Sequence, residues 1–122
     1  MATILGFRDL NTWKESHKLV LLIYKYTSDF PKTETFGLTD QMRRASVSIS
    51  SNIAEGFSRQ GKKEKLQFYY IAKGSLTEIE NQIIISRDLK SINLEEYNEA
   101  INQIETVGKL ITGLSKSVSS RS

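Results

Sequence analysis

A glycine- and lysine-rich stretch, NIAEGFSRQGKK at residues 52–63, nearly reproduces the spacing of a phosphate-binding P-loop. In that motif a glycine-rich turn follows a buried strand, its backbone N–H groups surround the phosphates, and a Ser or Thr after the lysine ligates magnesium. Here Lys63 follows Gly61-Lys62 and cannot ligate magnesium. The sequence therefore favours a bend between two helices over a nucleotide site, and we expect no cofactor.

The segment before this stretch could be read as either a strand or a helix. Its apolar residues alternate over residues 46–53, as in a strand, but they also continue a series with helical spacing. That series is Leu38, Met42, Ala45, Ile49 and Ile53. Because a lone strand would have no partner, we predict a helix.

Residue types for catalysis or metal binding are scarce in this sequence. There is no cysteine and one histidine, His17, so the chain has no disulfide framework and no Cys/His metal cluster. The helical wheel places Asn52 and Glu55 beside the apolar face, where polar groups need partners. We expect Asn52, Glu55, Ser75 and Glu78 to form a polar network that sets the register of the helices. A role for Glu55 as an acid, base or metal ligand is the alternative.

The elements that must position these residues are four helices. Apolar residues recur every three or four positions over about 10–29, 38–56, 62–90 and 94–115, and Asn93 with Glu96 predicts a capping box at the last start. The serine-rich tail from Ser115 is expected to fray. Short connections predict one domain, residues 1–122, folded as an all-α, up-down-up-down antiparallel four-helix bundle.

The first helix carries two apolar series, and the sequence assigns the core to one of them. The predicted core series is Leu10, Trp13, His17, Val20, Tyr24 and Thr27. The remaining apolar residues of the first and third helices exceed what one core requires, and a helix that is apolar nearly all round is buried on more than one side. We therefore expect the protein to self-associate.

Charge and hydropathy limit the function classes. The net charge of +3 permits nucleic-acid contact without requiring it. The longest apolar run, residues 19–24, is far shorter than the roughly 20 residues that span a bilayer, and Arg8 and Asp9 lie where a signal peptide would be apolar. We expect a cytoplasmic protein with no membrane contact and no small-molecule substrate.

Three motifs carry a resemblance to a known family. They are FRDL with Trp13, then FGLTDQMRRA through SISSNIAEG, and IAKGSLTE. Over roughly residues 7–115 the sequence resembles the bacterial four helix bundle protein family, whose members include proteins encoded in intervening sequences of large-subunit ribosomal RNA genes. It is also similar to the accessory variability protein, Avd, of diversity-generating retroelements. The resemblance implies a barrel-like homopentamer with a basic surface, and for Avd it implies binding to a reverse transcriptase and to nucleic acid. It supplies no catalytic residue.

Two basic clusters are the candidate contacts for nucleic acid. The denser cluster comprises Arg59, Lys62, Lys63 and Lys65, and the second comprises Arg43 and Arg44. An oligomer would repeat each cluster around its axis, so we expect RNA or DNA to bind with little sequence preference and strong salt dependence. The alternative is a protein-interaction scaffold whose charge serves only solubility. An enzyme is a weaker third hypothesis.

Overall fold

A computed structural model describes residues 3–120, and within that range it contains four long helices and no strand. The helices are α1 (Asn11–Thr27), α2 (Asp40–Ser58), α3 (Lys62–Asp88) and α4 (Leu94–Ser119). The all-α prediction is confirmed, and residues 46–53 lie inside α2 rather than in a strand. A 3-10 turn, Phe7–Asp9, precedes α1.

Cross-helix contacts show that neighbouring helices run antiparallel. On α2 and α3, Ser48 Oγ lies 2.9 Å from Ser75 Oγ, whereas the earlier residue Met42 contacts the later residue Ser86. On α1 and α4, Thr12 Oγ1 donates to the Leu110 carbonyl, and Tyr26 donates to Glu99. The helices α1 and α4 pack together as well, which closes the four helices into a ring around one core.

The connections use local hydrogen bonds to stop one helix and start the next. Asn93 Oδ1 accepts from the Glu96 N–H at 2.8 Å while Glu96 Oε1 accepts from the Asn93 N–H at 2.9 Å, so the predicted capping box is present. Between α1 and α2 a 3-10 turn, Lys32–Glu34, leads into a wide helical turn, Thr35–Thr39. Gly37 has non-helical backbone angles there, which separates this turn from α2.

The expectation that the chain frays from Ser115 is wrong. The helix α4 continues to Ser119, because Val118 extends the buried series Ile104, Val107 and Ile111 at helical spacing and is only 2% exposed. Burial of this side chain outweighs the weak helix propensity of the serines around it. The last two residues of the predicted tail lie outside the described range.

The prediction of which face of α1 forms the core is also wrong for the middle of the helix. The buried residues are Leu19, Ile23 and Tyr26, whereas His17 is exposed and Tyr24 is 41% exposed. Both series satisfy helical spacing, so spacing alone could not separate them. The buried face also contains Thr12 and Ser16, which are small. The Ser16 hydroxyl donates to the Thr12 carbonyl at 2.7 Å, so its polar group is buried with a hydrogen-bond partner.

Gly56 marks the closest approach of α2 and α3. It lies in the last turn of α2, near the helix end as the sequence suggested, and it is buried. A Cβ placed on it would lie 2.7 Å from Tyr69 Cε1 and 2.9 Å from Phe68 Cβ. Phe68 Cβ is bound directly to the α3 backbone, so it cannot give way without moving the helix.

We expect Gly56→Ala to destabilise the protein by about 1–3 kcal/mol, because the added methyl group overpacks the contact between α2 and α3. Gly74→Ala is the matched control, since Gly74 lies inside α3 with open space around its Cβ position. There the higher helix propensity of alanine should stabilise the protein by about 0.5–1 kcal/mol. Urea unfolding measures the free energy of unfolding of both variants. If both substitutions changed it in the same direction, the predicted overpacking at Gly56 would be contradicted.

The side chain of Tyr26 joins α1 to α4 by a partly buried hydrogen bond. Tyr26 is 1% exposed, and its hydroxyl donates to Glu99 Oε1 at 2.5 Å. Burial, followed by the hydrogen bond to the Glu99 carboxylate, raises the pKa of the Tyr26 hydroxyl well above its ordinary value of 10.0. The neutral phenol is therefore the form that the fold stabilises.

We expect Tyr26→Phe to lower the free energy of unfolding by about 1–2 kcal/mol at neutral pH, through loss of a hydrogen bond to a charged acceptor. Because the pKa of Tyr26 is raised in the folded state, its contribution is fully present below pH 10 and declines as the pH rises beyond it. The difference between wild type and variant should therefore shrink above pH 10. Tyr70→Phe, at a 61% exposed position, should change stability by less than about 0.5 kcal/mol. Equal effects of the two variants would contradict this assignment.

Candidate nucleic-acid interface

The glycine-lysine stretch forms the connection between α2 and α3. Only residues 59–61 separate the two helices, and Gly61 is the extended residue that precedes α3. The element upstream is helix α2, whereas a P-loop requires a strand at that place. The lysines of this stretch are therefore surface or structural residues.

Lys65 is a structural residue of this turn. Its Nζ donates to the carbonyls of Phe57 at 2.8 Å and Gly56 at 3.3 Å, and lies 5.2 Å from the centre of the Phe57 ring. Carbonyls in the last turn of a helix have no partner within the helix, so the ammonium group satisfies two of them at the end of α2. This explains why a lysine is favourable in the first turn of α3, where the helix dipole alone would disfavour it.

The other three residues of this cluster are exposed. The Arg59 guanidinium lies over the Phe68 ring at 4.9 Å, which fixes its position on the surface. Lys63 lines a shallow cavity of about 230 Å³ together with Leu66, Gln67 and Tyr70. The cluster therefore presents Arg59, Lys62 and Lys63 to solvent while Lys65 holds the turn.

Arg43 and Arg44 line a second groove, of about 550 Å³, with Tyr24, Asp40, Val47 and Ser48. Arg43 is held in place, because its Nε donates to Thr27 Oγ1 at 2.9 Å and its guanidinium lies 4.6 Å from the centre of the Tyr24 ring. Arg44 forms an exposed ion pair with Asp40 at 3.2 Å. The two arginines therefore differ: Arg43 is oriented by the fold, and Arg44 is partly neutralised.

The predicted polar network exists in part. Asn52 Nδ2 donates to the Ser48 carbonyl at 2.8 Å and to Ser48 Oγ at 3.1 Å, and Ser48 Oγ bonds to Ser75 Oγ across the contact between α2 and α3. Glu55 was expected beside the apolar face, but it is exposed and lies outside this chain of bonds. Glu78 instead accepts from Gln82 on its own helix. Asn52 reaches Ser75 only through Ser48, which the sequence argument did not include.

A third basic site, not predicted from the sequence, is a groove of about 540 Å³ between α3 and α4. Its lining residues are Lys73, Glu105, Gly108, Lys109, Thr112, Gly113 and Lys116. Lys109 and Lys116 are seven residues apart on α4, which places them on one helix face, and Lys73 reaches the groove from α3. The spacing of Lys109 and Lys116 was visible in the sequence, but only the antiparallel packing of α3 on α4 brings Lys73 beside them.

Charge is separated along the long axis of the molecule. Dividing each helix at its midpoint gives a half that contains residues 3–18, 49–75 and 107–120, which we call the basic half, and an acidic half that contains residues 19–48 and 76–106. The basic half has ten Lys and Arg residues against four Asp and Glu, and the acidic half has six against ten. The modest net charge of the chain thus conceals one strongly basic end.

Two other kinds of site were sought in the described part of the chain. Among residues 3–120, no group of three or more His, Cys, Asp and Glu residues is arranged to hold a metal ion. Within the same range, every helix is too short or too polar to cross a bilayer.

Known proteins resemble this chain in sequence and in fold. The 23S rRNA-intervening sequence protein family matches residues 8–113. A similar solved structure is a protein of unknown function from the S23 ribosomal protein family of Bacteroides thetaiotaomicron. It is 22% identical in sequence, with a TM-score of 0.77 over 86% of this chain and 98% of that one. A search of curated proteins found no match.

The family match extends from Arg8, before α1, to Gly113 in the last third of α4, so it takes in the α2–α3 turn, the Arg43 groove and most of the groove between α3 and α4. The chain belongs to the 23S rRNA-intervening sequence protein family.

Proposed function

We propose that this protein is a non-enzymatic homo-oligomer, a pentamer, that binds nucleic acid through its basic half. The observation that carries this proposal is the separation of charge along the bundle, ten cationic residues against four anionic ones at one end. A polyanion is attracted to such an end, and the release of counterions from its backbone supplies the binding free energy. The family's description links it to 23S rRNA, which makes RNA the ligand of first choice.

The arrangement of the basic groups favours contact with the phosphate backbone over the reading of base sequence. One groove is lined by Lys73, Lys109 and Lys116. It is also lined by Gly108 and Gly113, which have no side chains to fill it. Lysine ammonium groups act as point charges and carry no bidentate geometry that would distinguish one base from another. Binding through this groove would therefore depend weakly on sequence and strongly on salt.

Self-association is supported by apolar side chains that the bundle leaves exposed. On α3, Ile71 is 50% exposed, Ile85 38% and Leu89 59%, and their spacing places them on one face of the helix. Exposed large apolar side chains on one helix face are typical of protein interfaces. Association would bring several basic halves together and multiply the number of phosphate contacts per assembly.

A protein-interaction scaffold remains the second candidate, and the same apolar residues favour it. The two functions differ in what the cations do. In a scaffold the lysines serve only solubility, and their replacement would leave partner capture intact, whether the partner is a reverse transcriptase or another protein. Lys65 is unsuitable for that test because it holds the α2–α3 turn.

We expect wild-type protein to bind labelled RNA with an affinity that falls steeply between 50 and 200 mM salt. The double variant K109Q/K116Q should reduce the slope of log affinity against log salt by about one to two, because each lost phosphate contact removes roughly 0.7–0.9 from it. The matched control is K32Q/K90Q, which removes the same charge from exposed positions in the acidic half. Fluorescence anisotropy at several salt concentrations measures both.

If the two double variants weakened RNA binding equally, net charge alone would explain the binding and the groove would have no special role. Absence of binding at low salt, or binding that does not respond to salt, would contradict the proposed function itself.

We expect light scattering to give the mass of five chains for the wild type and a lower mass for Ile71→Glu, because a charge in an apolar interface is costly to bury. Thr77→Glu, on the same helix at an exposed polar position, should keep the wild-type mass. A monomeric wild type, or equal loss of mass in both variants, would contradict association through this face of α3.

A further inference from the structure

One face of α1 carries aromatic side chains that the core covers only in part, since Trp13 is partly buried against the core. The rings of Trp13 and His17 are stacked, with centres 4.9 Å apart and planes 15° apart, and Phe7 meets Trp13 edge-on at 5.2 Å. His17 is exposed and covers one face of Trp13, so its outer face is turned to solvent. Tyr24 lies seven residues further on the same face and is 41% exposed. We call Trp13, His17 and Tyr24 the aromatic stripe.

Cationic groups accompany the aromatic stripe along its length. Lys14, Lys18 and Lys25 all project from the neighbouring strip of α1, about 100–140° around the helix from Trp13. The Arg43 guanidinium lies over the Tyr24 ring at 4.6 Å. An open ring face, here that of His17, beside other aromatic rings and positive charges is the combination on which proteins bind single strands.

The acidic residue within α1, Glu15, is paired with Lys18 and partly neutralises it. Glu15 accepts hydrogen bonds from Lys18 at 2.9 Å and from Gln103 of α4 at 3.2 Å. These bonds lower the pKa of the Glu15 carboxyl group and hold the carboxylate between the two helices. Lys14 and Lys25 remain exposed beside the stripe.

We propose that the aromatic stripe binds the unstacked bases of a single-stranded nucleic acid, with Lys14 and Lys25 receiving its phosphates. This inference rests on the proposed function and adds the strandedness of the ligand. A base would stack on the outer face of His17 and continue the Trp13–His17 stack. From His17 to Tyr24 the rise is about 10 Å, which equals about three stacked nucleotides.

Charge distinguishes this occupant from a second copy of the chain. The core of a protein interface is depleted in charged residues, and lysine in particular is disfavoured there. Burying the aromatic stripe against another face of a second copy would also bury its neighbouring lysines, whereas a nucleic-acid strand supplies both the flat apolar surface and the negative charge. A duplex keeps its bases stacked inside and can offer only phosphates.

Trp13 is the single tryptophan of the chain and reports directly on this surface. Its fluorescence should be quenched by an oligothymidylate of about 15 nucleotides. A DNA hairpin duplex of equal charge, and polyphosphate, should leave it nearly unchanged at the same salt concentration. Competition measured by anisotropy should show the single strand binding about tenfold or more tightly than the duplex.

The variant pair H17A and H17F tests stacking. We expect His17→Ala to weaken oligothymidylate binding by about tenfold, the effect of losing one stacked base, and to leave duplex binding unchanged. His17→Phe restores a ring without a titratable group and should restore the affinity. His17 is exposed, so neither substitution threatens the fold.

Several outcomes would overturn the inference while leaving the proposed function standing. One is binding of RNA or DNA without a change in Trp13 fluorescence. Another is quenching by the duplex or by polyphosphate that equals the quenching by oligothymidylate. The third is an affinity of H17A for the single strand that equals the affinity of the wild type. A change of Trp13 emission with protein concentration alone, together with a lower mass for H17A, would assign the stripe to a second copy. Absence of any nucleic-acid binding at low salt would overturn both proposals.

Discussion

The close approach of α2 and α3 at Gly56 determines where the charged groups of the candidate interface can lie. With no side chain at Gly56, the Tyr69 ring packs directly against the α2 backbone, and the two helices are held together within a few residues of the turn that joins them. The turn is then short, and Lys65 can reach back to the carbonyls of residues 56 and 57. A helix end whose carbonyls are satisfied in this way leaves Arg59, Lys62 and Lys63 as the outward-facing members of the cluster.

The same packing makes the charge asymmetry of the molecule possible. In an antiparallel bundle the start of one helix lies beside the end of the next, so the lysines of early α3 and late α4 share one end although more than 40 positions separate them in the sequence. The glutamates of late α3 and early α4 share the other end for the same reason. Since screening limits exposed charges to a range of about 8–10 Å at physiological salt, only such clustering lets a ligand distinguish one end from the other.

Local signals predicted most of the fold, and they failed where a choice depended on tertiary contacts. The capping box at Asn93 is a signature within four residues and was correctly identified, and the helical series through Ile49 and Ile53 outweighed the alternation that resembled a strand. The end of α4 was missed because it depends on burial of Val118 beyond a serine-rich stretch. Gly56 was correctly placed near the end of α2, but its close contact with α3 was not predicted, because a sequence does not show what packs against a glycine.

The candidate site was less predictable than the fold, because side chains of one type take different roles. Nothing local distinguishes Lys65, which hydrogen-bonds to α2, from its exposed neighbour Lys63. The groove between α3 and α4 needed the packing of two helices before its three lysines could be grouped.

The two apolar series on α1 show how an error of assignment can point to a function. A helix in a bundle needs one buried face, and on α1 that need is met by Leu19, Ile23 and Tyr26. The series of Trp13, His17 and Tyr24 lies beside that face: Trp13 is partly buried against the core, whereas His17 and Tyr24 are exposed. Its rings are ordered by the packing of Trp13 on the core, by the stacking of His17 on Trp13, and by Arg43 over Tyr24. An exposed aromatic surface that is ordered before any ligand arrives loses little conformational entropy on binding, and this is the property that a stacking platform requires.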